Sequence, residues 1–140
     1  MYIFDLEGTL SDSKHREHLL PDKNNPKQER SYDAFHGEFP KDKVKLHNKV
    51  LMQNCMLTSK TIILTGMMEK HQGKVLKWLL ENGIAYDGLV MRANDDYSSS
   101  PNFKLNWIKG CGEIIHMVFD DREDVVVQLL CHGIPAIVVK

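Results

Sequence analysis

Two acids two residues apart, Asp5 and Glu7, follow a short apolar run and meet a glycine in Phe4-Asp5-Leu6-Glu7-Gly8-Thr9-Leu10. A carboxylate at the end of a strand can attack an electrophile or hold a cation, and a second one beside it can move a proton. Three further features have chemistry to offer. Thr65-Gly66 closes another apolar run with a hydroxyl and a bare stretch of backbone. Lys104 stands near the start of a helical pattern and brings a positive charge. Asp120-Asp121-Arg122-Glu123-Asp124 follows a third apolar run and offers the oxygen ligands that hard divalent cations take. Each feature has a bland reading too. Acid pairs cap helices, Thr-Gly is common turn chemistry, lysines on short helices are solvated, and acids at a helix start favour its dipole. Joint occurrence outweighs those readings, because all four lie in order at the ends of apolar runs, where one site could collect them.

The elements that must position these residues follow from hydrophobic pattern. Tyr2–Leu6, Thr61–Thr65, Gly88–Met91, Ile114–Phe119 and Ala136–Val139 read as strands. Most are continuous rather than alternating, as expected of strands covered on both faces in a parallel sheet. Helical patterns lie between the later ones. Gln72, Val75, Leu76 and Leu79 recur at helical spacing before Asn82-Gly83. Asn102 to Lys109 follows Ser100-Pro101. Asp121 to Cys131 turns Val125, Val126, Leu129 and Leu130 inward. From residue 60 onward the order is β-α-β-α-β-α-β, an α/β fold with right-handed crossovers. In such a sheet the ligand binds beyond the carboxyl ends of the strands, where the four features fall.

The stretch from residue 11 to 60 differs. It is polar, carries Pro21, Pro26 and Pro40, and shows no convincing strand. Ser31–Phe39 reads as a short helix, and Val44–Leu57 as a longer one with Val44, Leu46, Val50, Leu51 and Leu57 on its apolar side. Residues 14–40 read as an excursion between the first strand and its crossover helix, within one domain spanning 1–140.

Bulk properties narrow the class. At 140 residues, 42% hydrophobic and 26% charged, the chain can bury a core without disulfide or zinc support. A net charge of −1 gives no global attraction to nucleic acid or membrane, so a nucleic-acid ligand needs a local patch. Lys41, Lys43, Lys45, Lys49 and Lys60 are the candidate patch, although such a run also suits a solvated helix face. Cys55, Cys111 and Cys131 are odd in number and form no C-x-x-C pair, which favours a reducing compartment; Cys131 is expected on a buried helix face. No apolar stretch approaches the roughly 20 residues of a membrane span, and no basic-then-apolar leader opens the chain, so a cytoplasmic location is expected. His116, inside the fourth strand, is expected to pack in the core, and no histidine spacing suggests zinc.

The stretch Ile3-Phe4-Asp5-Leu6-Glu7-Gly8-Thr9-Leu10 resembles the first motif of the haloacid dehalogenase superfamily, D-x-D-G-T-L. Thr65 with Gly66 resembles its second motif, Lys104 its third, and Asp120-Asp121 its acidic fourth. The resemblance implies a Rossmann-like three-layer sandwich around a five-stranded, mainly parallel sheet, and a bound Mg²⁺. It also implies an aspartyl-phosphate formed on Asp5, with the acid/base role at Glu7. The metal would be held by Asp5, the backbone carbonyl of Glu7, Asp120 and Asp121, and the phosphate by Thr65, Gly66 and Lys104. A narrower similarity, to the phosphatase half of bacteriophage polynucleotide kinase/phosphatase, rests on His15-Arg16, Tyr32-Asp33-Ala34-Phe35, Leu89-Val90-Met91-Arg92 and Val118-Phe119-Asp120-Asp121-Arg122. It implies a nucleic-acid 3′-phosphate or a nucleotide as substrate, with Arg16 and Arg92 gripping it. No P-loop for a kinase half is present.

Two departures matter. Met67 stands where relatives often carry arginine, and Glu7 stands where the family has its second aspartate. Glutamate keeps the backbone carbonyl and the carboxyl group, but its extra methylene moves that carboxyl by roughly 1 Å, a shift able to cost about 100-fold in rate. The expectation divides between a working phosphatase, on nucleic-acid ends or on small metabolites, and a phosphate-binding module with a poor proton relay.

Overall fold

The structure, a computed structural model, describes residues 1–21 and 32–140. Five strands form one parallel sheet: β1 (Tyr2–Phe4), β4 (Thr61–Met68), β5 (Gly88–Arg92), β6 (Met117–Asp120) and β7 (Ala136–Val138), ordered β5-β4-β1-β6-β7. Tyr2 sits in register with Thr61 on one side and Met117 on the other, so β1 is the central strand. Helices α2 (Leu46–Met56) and α3 (Gln72–Glu81) cover one face, where Met52, Val75, Trp78 and Leu79 pack with Phe4, Ile63 and Met67. Helices α4 (Ser100–Gly110) and α5 (Glu123–Cys131) cover the other, where Phe103, Ile108, Val125 and Leu129 pack with Ile3, Leu64 and Val118. The α/β class, the three layers and the five parallel strands expected from the sequence are all present. The reason is the unbroken apolar character of β1, β4 and β6, which only a sheet covered on both faces satisfies.

Several local expectations are corrected. The segment after β1 does contain strands: β2 (Ser11–Asp12) and β3 (Lys43–Val44) pair antiparallel and close the base of the excursion. Between them lie a 3-10 segment at Lys14–Leu19, helix α1 (Asp33–Gly37) and a 3-10 turn at Phe39–Lys41. The start of the expected helix at Ser31, and residues 22–31 of the excursion, lie outside the described residues. Helix α2 buries a different face from the one its leucines suggest. Asn48 and Met52 are inside, whereas Leu46 and Val50 are exposed and Leu57 is 82% exposed. Asn48 is drawn inward by a hydrogen bond from its Nδ2 to the Thr9 carbonyl at 2.8 Å, a polar demand that apolar periodicity does not register. In α3, Leu76 is exposed and Trp78 takes the inward place, donating from Nε1 to the Asp42 carbonyl at 2.8 Å. Leu130 and Cys131 lie on the outer side of α5. His116 precedes β6 and is exposed, because the strand begins only at Met117. Among the described residues no helix is long and apolar enough to cross a membrane.

Candidate active site

Asp5 lies one residue beyond β1 and its backbone N–H donates to the Phe119 carbonyl at 2.9 Å. That bond carries the β1–β6 register to the carboxyl edge of the sheet and sets Asp5 beside Asp120, the last residue of β6. Lys104 reaches the same point from α4, whose start is fixed by Pro101 in the first turn and by Ser99, whose side chain accepts from the Asn102 N–H. Only 3% exposed, it places Nζ 2.6 Å from Asp5 Oδ1 and 2.5 Å from Asp120 Oδ2. Asp121 faces the turn at Gly8. A Cβ on Gly8 would lie 2.2 Å from Asp121 Oδ2, and Gly8 has φ +87°, so backbone and space both demand glycine there. Lys45 ties the turn down, donating from Nζ to the Gly8 carbonyl at 2.5 Å.

Asp5, Asp120 and Asp121 each offer a carboxylate oxygen, and these oxygens lie within 4.8 Å of one another. Burial, opposed by Lys104 and reinforced by Asp120 and Asp121, pushes the Asp5 carboxyl up to about 8. Burial and Asp120 raise Asp121 as well. Burial works against the charge on Lys104, but Asp5 and Asp120 more than compensate and hold its ammonium protonated. One lysine thus faces three carboxylates, an excess of negative charge that a divalent cation would neutralise. The all-oxygen donor set fits Mg²⁺ and does not fit a thiolate or imidazole metal.

Glu7 is held apart from this cluster. Its Oε2 lies 2.7 Å from Arg16 Nη1 as an ion pair and its Oε1 lies 3.2 Å from His36 Nε2. Oε2 is buried and rests on that Arg16 contact. Burial alone would raise the Glu7 carboxyl; His36 and Arg16 overcome it and hold the group below the ordinary glutamate value. Arg16, expected as a substrate contact, is 0% exposed. Its Nε and Nη2 donate to the two oxygens of Asp42 at 2.8 and 2.7 Å, Nη1 donates to the Phe35 carbonyl at 3.0 Å, and the guanidinium lies 4.0 Å from the Phe35 ring centroid. Asp42 also accepts from Ser11 Oγ at 2.7 Å and meets His15 Nε2 at 2.8 Å.

Thr65 is buried within β4, and its Oγ accepts the Met67 N–H at 3.1 Å. Met67 turns into the core, so the cation beside Gly66 is Arg92. Arg92 Nε donates to the Gly66 carbonyl at 2.8 Å, Nη1 to the Ser98 carbonyl at 2.5 Å, and Nη2 to Ser100 Oγ at 3.3 Å. A Cβ on Gly66 would meet Nη2 at 3.2 Å, a tight fit that favours glycine. The structure therefore brings Asp5, Lys104, Asp120 and Asp121 into direct contact or close approach. It links Glu7 to Arg16 and Gly66 to Arg92. Sequence reasoning did not single out His36, Asp42 or Ser11, and it read Lys45 only as part of a basic patch. Asp42 hides between Lys41 and Lys43 in a run that reads as solvated surface, and no spacing betrays its burial.

No protein-family model matches the chain, and no curated protein does. Solved structures do. Two structures of the Pnkp1/Rnl/Hen1 complex, one described as an RNA repair complex, contain a chain that superposes with TM-scores of 0.77 and 0.75 at 22% identity. They match 99% of this chain but 45% and 41% of theirs, so it spans less than half of their length. A haloacid dehalogenase-like hydrolase from Streptococcus pneumoniae superposes with a TM-score of 0.65 at 13% identity, over 99% of this chain and 83% of its own. At these identities the likeness is one of architecture, and it is plain: the chain has the haloacid dehalogenase-like hydrolase fold.

Proposed function

We propose that this chain is a Mg²⁺-dependent phosphatase acting through an aspartyl-phosphate on Asp5, with nucleic-acid 3′-phosphate ends or nucleotides as substrates. The observation that carries the reading is the convergence of Asp5, Lys104, Asp120 and Asp121 at the carboxyl edge of the sheet. Mg²⁺ held by Asp5, Asp120, Asp121 and the Glu7 backbone carbonyl would neutralise phosphoryl charge and keep Asp5 ionised. Asp5 attacks phosphorus, the bond to the leaving oxygen breaks, and that oxygen takes a proton from Glu7. Water then attacks the same phosphorus, Glu7 takes the water proton, and Asp5 is released with inorganic phosphate. Lys104, the Thr65 hydroxyl and the backbone at Gly66 stabilise the equatorial oxygens. Arg16 acts through Glu7, and Arg92 shapes the backbone at Gly66.

The substrate class is supported by the sequence resemblance to phage 3′-phosphatases and by the likeness to a chain of an RNA repair complex. Residues 1–140 act as one domain in this reading, and the three free thiols suit a reducing cytoplasm. A second reading, a phosphate-binding module of slow turnover, is favoured by the depressed Glu7 carboxyl, which makes a weak acid for leaving-group protonation. The deciding assay is phosphate release from a 3′-phosphorylated oligonucleotide with Mg²⁺, beside a panel of nucleotides and sugar phosphates. Release by the wild type and none by Asp5→Asn is expected. Equal release by both proteins refutes the nucleophile, and binding without release selects the second reading.

A further inference from the structure

Tyr32, just before α1, takes no part in the chemistry above. Its backbone carbonyl accepts the His36 N–H at 2.8 Å, and its ring stacks on His36 with centroids 5.9 Å apart and planes 25° from parallel. Tyr32 is nevertheless 45% exposed. His36 beneath it is firmly seated: buried, tilted against Phe35 at 5.5 Å, edge-on to His71 at 5.3 Å, and 3.2 Å from Glu7 through Nε2. An exposed aromatic plane, backed by a fixed imidazole, thus stands two side-chain contacts from the Glu7 carboxylate.

We propose that Tyr32, backed by His36, is a stacking platform for the nucleobase of the terminal nucleotide whose 3′-phosphate enters the site. The inference rests on the nucleic-acid phosphatase reading and adds to it the feature of the substrate that is recognised. Two side-chain contacts separate Glu7 from the Tyr32 ring. A 3′-phosphate is likewise separated from its base by a single sugar, so a phosphate at Asp5 can bring its own base to the platform. Stacking on a tyrosine accepts every base, since each has a π-face, and it gives nothing to a sugar phosphate. The platform therefore selects for the presence of a base and little for its identity.

The test compares two oligonucleotides, both 3′-phosphorylated, one ending in an intact nucleotide and one in an abasic tetrahydrofuran residue. Turnover with Mg²⁺ is measured for wild type, Tyr32→Phe and Tyr32→Ala. Binding of both oligonucleotides is measured by fluorescence anisotropy in an Asp5→Asn background, where no turnover is needed. Stacking of a base on an aromatic side chain corresponds to roughly 5- to 150-fold in affinity. The expected result is a preference of that order for the base-bearing end, kept by Tyr32→Phe and lost by Tyr32→Ala. Equal binding of the two ends by the Tyr32-bearing protein, or a preference that survives Tyr32→Ala, overturns the platform. So does a preference lost equally in Tyr32→Phe, which would put the hydroxyl in place of the ring. Base-dependent binding without phosphate release keeps the platform and refutes the phosphatase reading, so the two failures are distinct.

Discussion

Asp42 is the joint from which the Glu7 side of the site hangs, and Asp42→Asn is the change that tests it. The carboxylate is wholly buried and meets four donors: Nε and Nη2 of Arg16, Ser11 Oγ and His15. Asparagine keeps the shape, but it loses the charge and turns an N–H group toward at least one of those donors. Arg16, with no exposed surface, would then keep Glu7 as its charged partner beside the Phe35 carbonyl and at most one amide oxygen. Breaking a buried pair by neutralising one partner costs about 3–5 kcal/mol. For 140 residues the unfolding entropy is about 0.3 kcal/mol per degree, so the melting temperature should fall by roughly 10–17 °C.

Thermal and urea unfolding at pH 7 measure this directly. A double-mutant cycle with Arg16→Met completes it, because losing both charges together costs less than the sum of losing each alone. A coupling of about 2 kcal/mol or more is expected. A fall of under about 3 °C for Asp42→Asn, or strict additivity in the cycle, refutes the claim that Asp42 holds Arg16 in place.

Three further outcomes follow from the carboxylate cluster and its neighbours. Asp5, raised to about 8 from an ordinary 3.8, contributes stability that is fully present below its unfolded value and is lost as pH rises toward 8. Melting of the metal-free protein should therefore drop between about pH 4 and 8, with Mg²⁺ restoring it and Asp5→Asn flattening it; an equal drop in Asp5→Asn removes Asp5 as the cause. Gly8→Ala places a methyl group against Asp121 at a backbone angle that alanine resists, so the Mg²⁺-dependent rise in melting temperature should weaken and phosphate release fall about 100-fold. Unchanged Mg²⁺ titrations would show that Asp121 is not a ligand. Glu7→Asp withdraws the carboxyl from Arg16 and His36, so turnover should fall by about 100-fold, and a rise would mean that the glutamate is mis-set for proton transfer.

How much of this was legible in the chain depends on the kind of interaction. The five strands of the parallel sheet were, because continuous apolar runs such as Thr61–Leu64 have one stable home, a sheet covered on both faces, whereas the short β2 and β3 were not. The same logic put Asp5, Thr65, Lys104 and Asp120 at one edge of that sheet. Helix faces were less legible. Leu46, Val50 and Leu57 outline an apolar stripe, yet α2 turns Asn48 inward to meet the Thr9 carbonyl and leaves the stripe exposed. Least legible was the Arg16–Asp42 pair. Its members lie 26 positions apart in polar sequence, and its burial depends on Phe35, Phe39 and Trp78 gathering around it.

These observations give the polar stretch after β1 a different meaning from the one its composition suggests. Both groups that hold Glu7 come from it, Arg16 from the 3-10 segment and His36 from α1. An aspartate at position 7 would be too short to meet them, so the extra methylene of glutamate is matched by partners that the excursion supplies. The sheet edge provides Asp5, Lys104, Asp120 and Asp121, the nucleophile, lysine and cation ligands of the proposed phosphatase. The excursion sets the charge and position of Glu7, the proton carrier in the proposed phosphatase. Tyr32, from the same stretch, stands one ring contact from His36, so contact with substrate at that ring would bear on the residue that positions Glu7. The proposed mechanism and platform would thus join proton transfer and substrate choice in one small element and leave the phosphoryl chemistry to the core.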